Sequence, residues 1–184
     1  MTEASGLRWV YNIPLLTNRY MLMDMAKVFL ATYVIALGIL LPATGFDYQS
    51  ILPLSLVGEA IFIGLFILTA LILGNHIGSV FILDKEGVGS KMSRRMSKLT
   101  KATIVLGVLA GKPSVAGSGL LASSQAETFH RWSGIEKAIV DRQRRVITFS
   151  NSWRAVQRVY CYPDNFEQVV AFVTLMLPGK MVYR

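Results

Sequence analysis

The chain has 184 residues, 53% of them hydrophobic, and carries 19 Lys and Arg against 11 Asp and Glu for a net charge of +8. Its one cysteine, Cys161, excludes an internal disulfide. The base is unevenly placed: from Lys85 to Arg184 there are 16 Lys and Arg against 6 Asp and Glu, a local charge of +10 that points to acidic partners.

Residues 1–27 form an N-terminal segment, aromatic and aliphatic over Leu7–Leu16 and so not a simple disordered tail. Pro14 interrupts any helix there, and Asn18 suits the N-cap of a helix that begins before the first apolar run. A short strand or interfacial stretch is expected, able to join the edge of a downstream sheet. The length of chain ahead of the first run, and the length of the run itself, argue against a cleaved leader.

Two apolar runs follow. Val28–Phe46 contains no charged residue, and Ile51–Gly74 contains one, Glu59. Each is long enough to cross a bilayer, which takes roughly 20 helical residues for ~30 Å of hydrocarbon. A transmembrane hairpin is therefore expected over residues 28–78. The connection Pro42–Pro53 carries Asp47 and no Lys or Arg, whereas Arg8, Arg19 and Lys27 precede the hairpin and Lys85 and Lys91 follow it. The positive-inside rule then puts both termini on the cytoplasmic side of the inner membrane, as a multi-pass protein. Trp9, Tyr11, Tyr20, Phe46 and Tyr48 supply aromatic residues at the expected interfaces. Glu59 is expected near the outer interface, facing a polar residue of a neighbouring subunit. Gly74 and Gly78 have the spacing that lets helices approach, as do Gly107 and Gly111, and with Glu59 the first pair is assigned to helix packing.

Beyond the hairpin, a helix ending near Gly78 and a strand beginning near Val80 are expected, with turn chemistry at Asp84–Gly87. Between Lys91 and Gly111, the residues Lys91, Arg94, Arg95, Lys98 and Lys101 fall within one arc of about 120° on a helix, beside an apolar stripe that includes Met92, Met96 and Leu99. That is a basic amphipathic helix, expected either to lie in a membrane interface or to pack its apolar stripe on the soluble domain with its charges solvated. It opens a basic insertion at about residues 91–125, of which Pro113–Ser124 reads as a flexible connection. Ala102–Gly111 is too short to span, and a third crossing would place Arg131, Lys137 and Arg142 outside, against the charge rule.

From Glu127 the pattern turns globular. Thr128–Trp132 alternates, Ile135–Asp141 and Val146–Phe149 read as strands, and Val156–Tyr162 as another. Arg142, Arg144 and Arg145 sit at the bend between the first pair and offer a second basic contact. After Pro163, Asp164 or Asn165 is expected to cap a helix through Leu177, whose stripe of Phe166, Val169, Val170, Val173 and Leu177 closes one side of a small sheet.

The order of two-helix hairpin, strand ending in Asp84-Lys-Glu-Gly-Val88, Trp132-Ser-Gly-Ile-Glu-Lys137, two strands and a terminal helix resembles small bacterial two-span membrane proteins with a C-terminal pleckstrin-homology-like domain. The resemblance implies a membrane α+β fold in which a cytoplasmic pleckstrin-homology-like domain over residues 79–184 is closed by its last helix, with the Trp-Ser-x-Ile element opening a strand. Chemistry is sparse: His76 and His130 have no Cys or Glu at ligand spacing, and no nucleophile elbow, phosphate loop or zinc helix is present. The expectation is a non-catalytic binding or scaffold protein without metal or cofactor. Its binding residues would be Lys91, Arg94, Arg95, Lys98, Lys101, Arg142, Arg144 and Arg145, and its partners anionic lipid and a protein in the membrane. No signature for nucleic acid is present. The alternative is an accessory subunit of a larger membrane complex.

Overall fold

Asn18 sets the first helix, its side-chain oxygen accepting the N–H groups of Tyr20 and Met21 to cap α1 (Arg19–Ala43). The structure, a computed structural model, describes residues 6–93 and 127–184. It divides into two units, one of Ile13–Ile77 and one of the chain up to Asn12 together with Gly78 onward.

In the first unit α1 is followed by α2 (Tyr48–Ile72). Both helices end in the same way. Gly45 (φ 64°) and Gly74 (φ 67°) take the left-handed conformation just past the helix, and the next residue reaches back five positions, Phe46 N–H to Leu41 O and Asn75 N–H to Ala70 O. This is the Schellman stop that glycine permits. Because Gly74 and Asn75 (φ 61°) both leave helical space, α2 ends at Ile72 and not near Gly78. Gly74 and Gly78 are thus not a helix-packing pair: the first terminates the helix and the second lies in the strand β2 (His76–Leu83).

Each helix has 25 residues, about 37 Å of rise. Both are long and apolar enough to cross a membrane. No residue of α1 is buried, and α2 buries only Ile51, Ser55 and Ala70. Phe29 meets Phe66 edge to face with ring centroids 5.9 Å apart. The hydroxyls of Thr32, Ser55 and Thr69 each donate to a carbonyl three or four residues earlier in their own helix, the arrangement that apolar surroundings demand. At the root of the hairpin, Leu15 N–H donates to Asn75 O at 3.0 Å and Leu16 N–H to Asn75 Oδ1 at 2.8 Å. Asn75 stitches the incoming chain to the outgoing one.

The second unit is built from two four-stranded sheets and a helix. The first sheet runs β1 (Leu7–Pro14), β2, β3 (Gly87–Met92), β4 (Glu127–Arg131), so the N-terminal segment is an edge strand next to β2. The second runs in the order β7 (Ala155–Tyr160), β6 (Val146–Ser150), β5 (Lys137–Asp141), β8 (Met181–Tyr183), with β8 parallel to β5. The helix α3 (Pro163–Met176) starts two or three residues earlier than a cap at Asp164 or Asn165 would put it. Pro163 is tolerated at its first position, and Asn165 Oδ1 accepts the Tyr162 N–H from inside the first turn.

The turn at Asp84–Gly87 forms as its residues suggest, with Asp84 Oδ1 accepting the N–H groups of Glu86 and Gly87, each at 2.9 Å. Trp132–Ile135 does not open a strand. Residues 132–134 make a single 3-10 turn, because the Trp132 ring is drawn inward, its Nε1 donating to Asp84 O at 2.9 Å and its face meeting Phe149 and Phe172. Phe81, Leu83 and Val88 from the first sheet are fully buried, as are Val140, Ile147 and Phe149 from the second. Side chains of α3, Phe166, Val169, Val170 and Val173, are buried as well. Across the sheets, Ser90 Oγ lies 2.9 Å from Thr128 Oγ1, which donates to Gln157 Oε1 at 3.0 Å.

Gly87 and Gly89 let β3 and β4 approach under the ring of Phe129. A Cβ on Gly87 would collide with the His130 carbonyl, and one on Gly89 would stand 2.9 Å from Thr128 O. Gly87→Ala should therefore destabilise the protein by about 1–3 kcal/mol, the usual cost of overpacking. A denaturant titration followed by tryptophan fluorescence should show the lower midpoint, and an unchanged midpoint would contradict this packing.

Candidate functional site

Four arginines and two carboxylates gather at one end of the second sheet. The group begins with Asp141, which is 5% exposed at the end of β5. Its Oδ1 accepts the Arg144 N–H at 2.9 Å and its Oδ2 accepts Arg144 Nη1 at 3.1 Å, so one carboxylate holds the whole β5–β6 turn. Arg145 closes that turn in the left-handed region (φ 54°), and its carbonyl accepts the Cys161 N–H at 3.0 Å. Arg142 Nη1 lies 3.5 Å from Glu167 Oε1 on α3, and its guanidinium is 5.4 Å from the centre of the Tyr183 ring. Arg184, just past β8, is brought alongside by its N–H to Val140 O, 2.9 Å.

The strand order therefore lays Cys161, Arg145, Arg142 and Arg184 side by side along one edge, at about 4.8 Å per strand. Four guanidinium groups meet two carboxylates here, Asp141 and Glu167. The members differ in what they are free to do. Arg144 is committed to a buried carboxylate and is part of the turn. Arg142 has an exposed partner, an ion pair worth at most about 1 kcal/mol. Arg145 and Arg184 have no ion-pair partner among the described residues.

Beside Arg145 stands an aromatic group. The Tyr11 ring lies 4.7 Å from Tyr162 and 5.7 Å from Tyr160, and Trp9 Nε1 donates to Tyr160 O at 2.8 Å. Burial pushes the Tyr11 hydroxyl above its ordinary pKa, Tyr162 and Cys161 add to the rise, and Arg145 opposes it. The Cys161 thiol is pushed up to about 12 by burial, so it is a packed apolar side chain and not a nucleophile.

Other residues singled out in the sequence fall elsewhere. Lys91 is in β3 and not in a helix: it pairs across the sheet with Glu127, with which it makes an ion pair. The basic amphipathic helix with Arg94, Arg95, Lys98 and Lys101, the connection 113–124 and the Gly107–Gly111 pair lie outside the described residues. Glu59 is one residue from the midpoint of α2, not near its start, because the helix begins at Tyr48. Its Oε1 is covered and has no hydrogen-bond partner among the described residues. His76 Nδ1 donates to Gly74 O at 2.6 Å. A cleft of about 230 Å³ over β3 and β4 is lined by Asp84, Lys91 and Glu127, all three engaged in the turn or the ion pair just described. Arg184 escaped the sequence reading and Tyr11 was read only as an interfacial aromatic residue, since only the parallel β5–β8 pairing and the packing of β1 bring them to the arginine turn.

Comparison with family models, with curated proteins and with solved structures finds no match for this chain.

Two expectations test this geometry. Arg145→Gln removes the one influence that favours the Tyr11 phenolate, so the Tyr11 titration should move further up, read from its ring carbon shift by NMR. No movement would separate Arg145 from Tyr11. Cys161 should resist iodoacetamide at neutral pH in the folded protein and react within minutes in denaturant, and equal rates in both would mean that the β7 end is open.

Proposed function

We propose that the chain is a two-span protein of the cytoplasmic membrane that holds a basic, non-catalytic, pleckstrin-homology-like domain at the inner face as a binding or scaffold module. The observation that carries this reading is the place of the helices in the chain. They are inserted between β1 and β2, neighbouring strands of one sheet, with four residues from β1 to α1 and three from α2 to β2. Two neighbouring strands must share a side of any bilayer, which an even number of crossings provides. The charge rule favours the cytoplasm for that side. The apolar surface of the hairpin supports insertion as well, since Leu30, Ile39, Ile61, Phe62 and Ile72 are all more than half exposed, far beyond what a soluble surface carries in one place. Two sheets closed by a C-terminal helix support the pleckstrin-homology-like assignment, to which β8 is an addition. Anionic lipid is the proposed partner of the basic residues, about 1 kcal/mol for each one close to such a surface.

Glu59 favours a second reading, an accessory subunit of a membrane complex. At about 16 Å along α2 from Tyr48 it would stand near the bilayer midplane, where an ionisable group is costly unless another chain supplies a partner. Purification of the full-length protein from its native membrane in nanodiscs, with mass spectrometry of what remains bound, separates the two. The primary reading expects anionic lipid and no protein at stoichiometric level. A defined protein set, lost on Glu59→Leu while the β unit stays folded, would replace it with the subunit reading.

A further inference from the structure

Resting on the membrane-anchored reading, we infer that the arginine row at the end of the second sheet, with Arg145 and Arg184 as its free cations, binds the phosphate headgroups of the bilayer that the protein's own helices enter.

Three observations carry this. Two of its four arginines, Arg145 and Arg184, have no ion-pair partner among the described residues, and the row is linear. Arg145, Arg142 and Arg184 follow at the ends of adjacent strands, so the backbone positions of the two unpaired arginines flank that of the paired one over about 10 Å. Its stiffness is built in: buried Asp141 ties the turn through both Arg144 contacts, and the Arg145 carbonyl is bound to Cys161. The backbone that carries Arg145 is fixed in this way, and a guanidinium group binds phosphate oxygens through paired N–H donors.

The third observation is reach. Arg145 is joined through Cys161 to Tyr162, whose ring touches Tyr11. Tyr11 precedes Arg19, the first residue of α1, by eight positions, and eight residues span at most about 28 Å. The chain that carries Tyr11 therefore enters the first helix after seven residues, Asn12 to Asn18. Tyr11 and the exposed Tyr162 add two phenol hydroxyls next to Arg145, and amphipathic rings of this kind favour the headgroup layer. The β2–β3 turn, by contrast, carries Lys85 between Asp84 and Glu86 and offers no such surplus.

The test uses the full-length protein in nanodiscs, with an environment-sensitive fluorophore on a cysteine introduced at Gln143 in a Cys161→Ala background. Collisional quenching by aqueous iodide is compared between zwitterionic discs and discs with anionic phospholipid. The expected result is protection of the fluorophore in anionic discs that is lost at high salt, and a surface-bound fraction that falls roughly ten-fold in Arg145→Gln/Arg184→Gln. Lys85→Gln/Arg131→Gln, which removes the same charge elsewhere, should leave the protection in place. Equal quenching in both discs, or equal loss in the two double variants, would overturn the inference while leaving the membrane anchor intact, and would return the row to an acidic protein segment. Failure of the protein to remain with discs after alkaline washing would overturn the anchor and the inference together.

Discussion

The pairing of β1 with β2 across the helical hairpin is the constraint on which the rest of the structure depends. It brings together two strands with about sixty residues between them, a closure whose entropic cost grows only as about 0.6 kcal/mol per doubling of length. The hairpin lowers that cost further by returning the chain to where it left. Asn75 completes the closure, accepting N–H groups from Leu15 and Leu16 at the point where the two connections run side by side. Once β1 is fixed, Trp9 reaches the Tyr160 carbonyl and Tyr11 reaches Tyr162, so the first sheet is bound to the end of β7 by an aromatic cluster. A protein without β1 would lose both the edge of the first sheet and one side of the arginine row.

That constraint also joins topology to chemistry. Strands on either side of a two-helix hairpin would share a side of any membrane it crosses, and the segment that enters α1 is the same one whose Tyr11 ring meets Tyr162, next to Cys161 and the arginine turn. Seven residues, Asn12 to Asn18, join Tyr11 to the first helix. The division of labour among the arginines follows from burial: Asp141 is buried and so commits Arg144 to structure, whereas Arg145 and Arg184 are exposed and have no ion-pair partner among the described residues.

Much of this was legible in the sequence where the signal is local. Asn18 was readable as a cap, Asp84–Gly87 as a turn, and the stripe of Phe166, Val169, Val170 and Val173 as the buried face of α3, because each depends on neighbours within a turn or two. Other residues misled for physical reasons. Gly74 has both the spacing of a packing motif and the conformation of a helix stop, and only the positive φ at Gly74 and Asn75 decides between them. Lys91 fits a helical arc with the basic residues that follow, yet strand pairing with Val80 and Glu127 takes it. Trp132 reads as a strand residue until the Asp84 carbonyl draws its indole inward. Arg184 carries no local signal at all, since its place follows from three residues of parallel pairing between β8 and β5.

The central claim is that strands flanking the helices share one side of a membrane that the helices cross. Thiol accessibility in intact spheroplasts and inverted vesicles tests it directly, with single cysteines placed at Gln49 after the α1–α2 turn, at Val10 in β1 and at Ser133 after β4, in a Cys161→Ala background. The account predicts that an impermeant maleimide reaches position 49 only from the outer side, and positions 10 and 133 only from the inner side. Labelling of positions 10 and 133 from opposite sides, or of all three from one side, would contradict it.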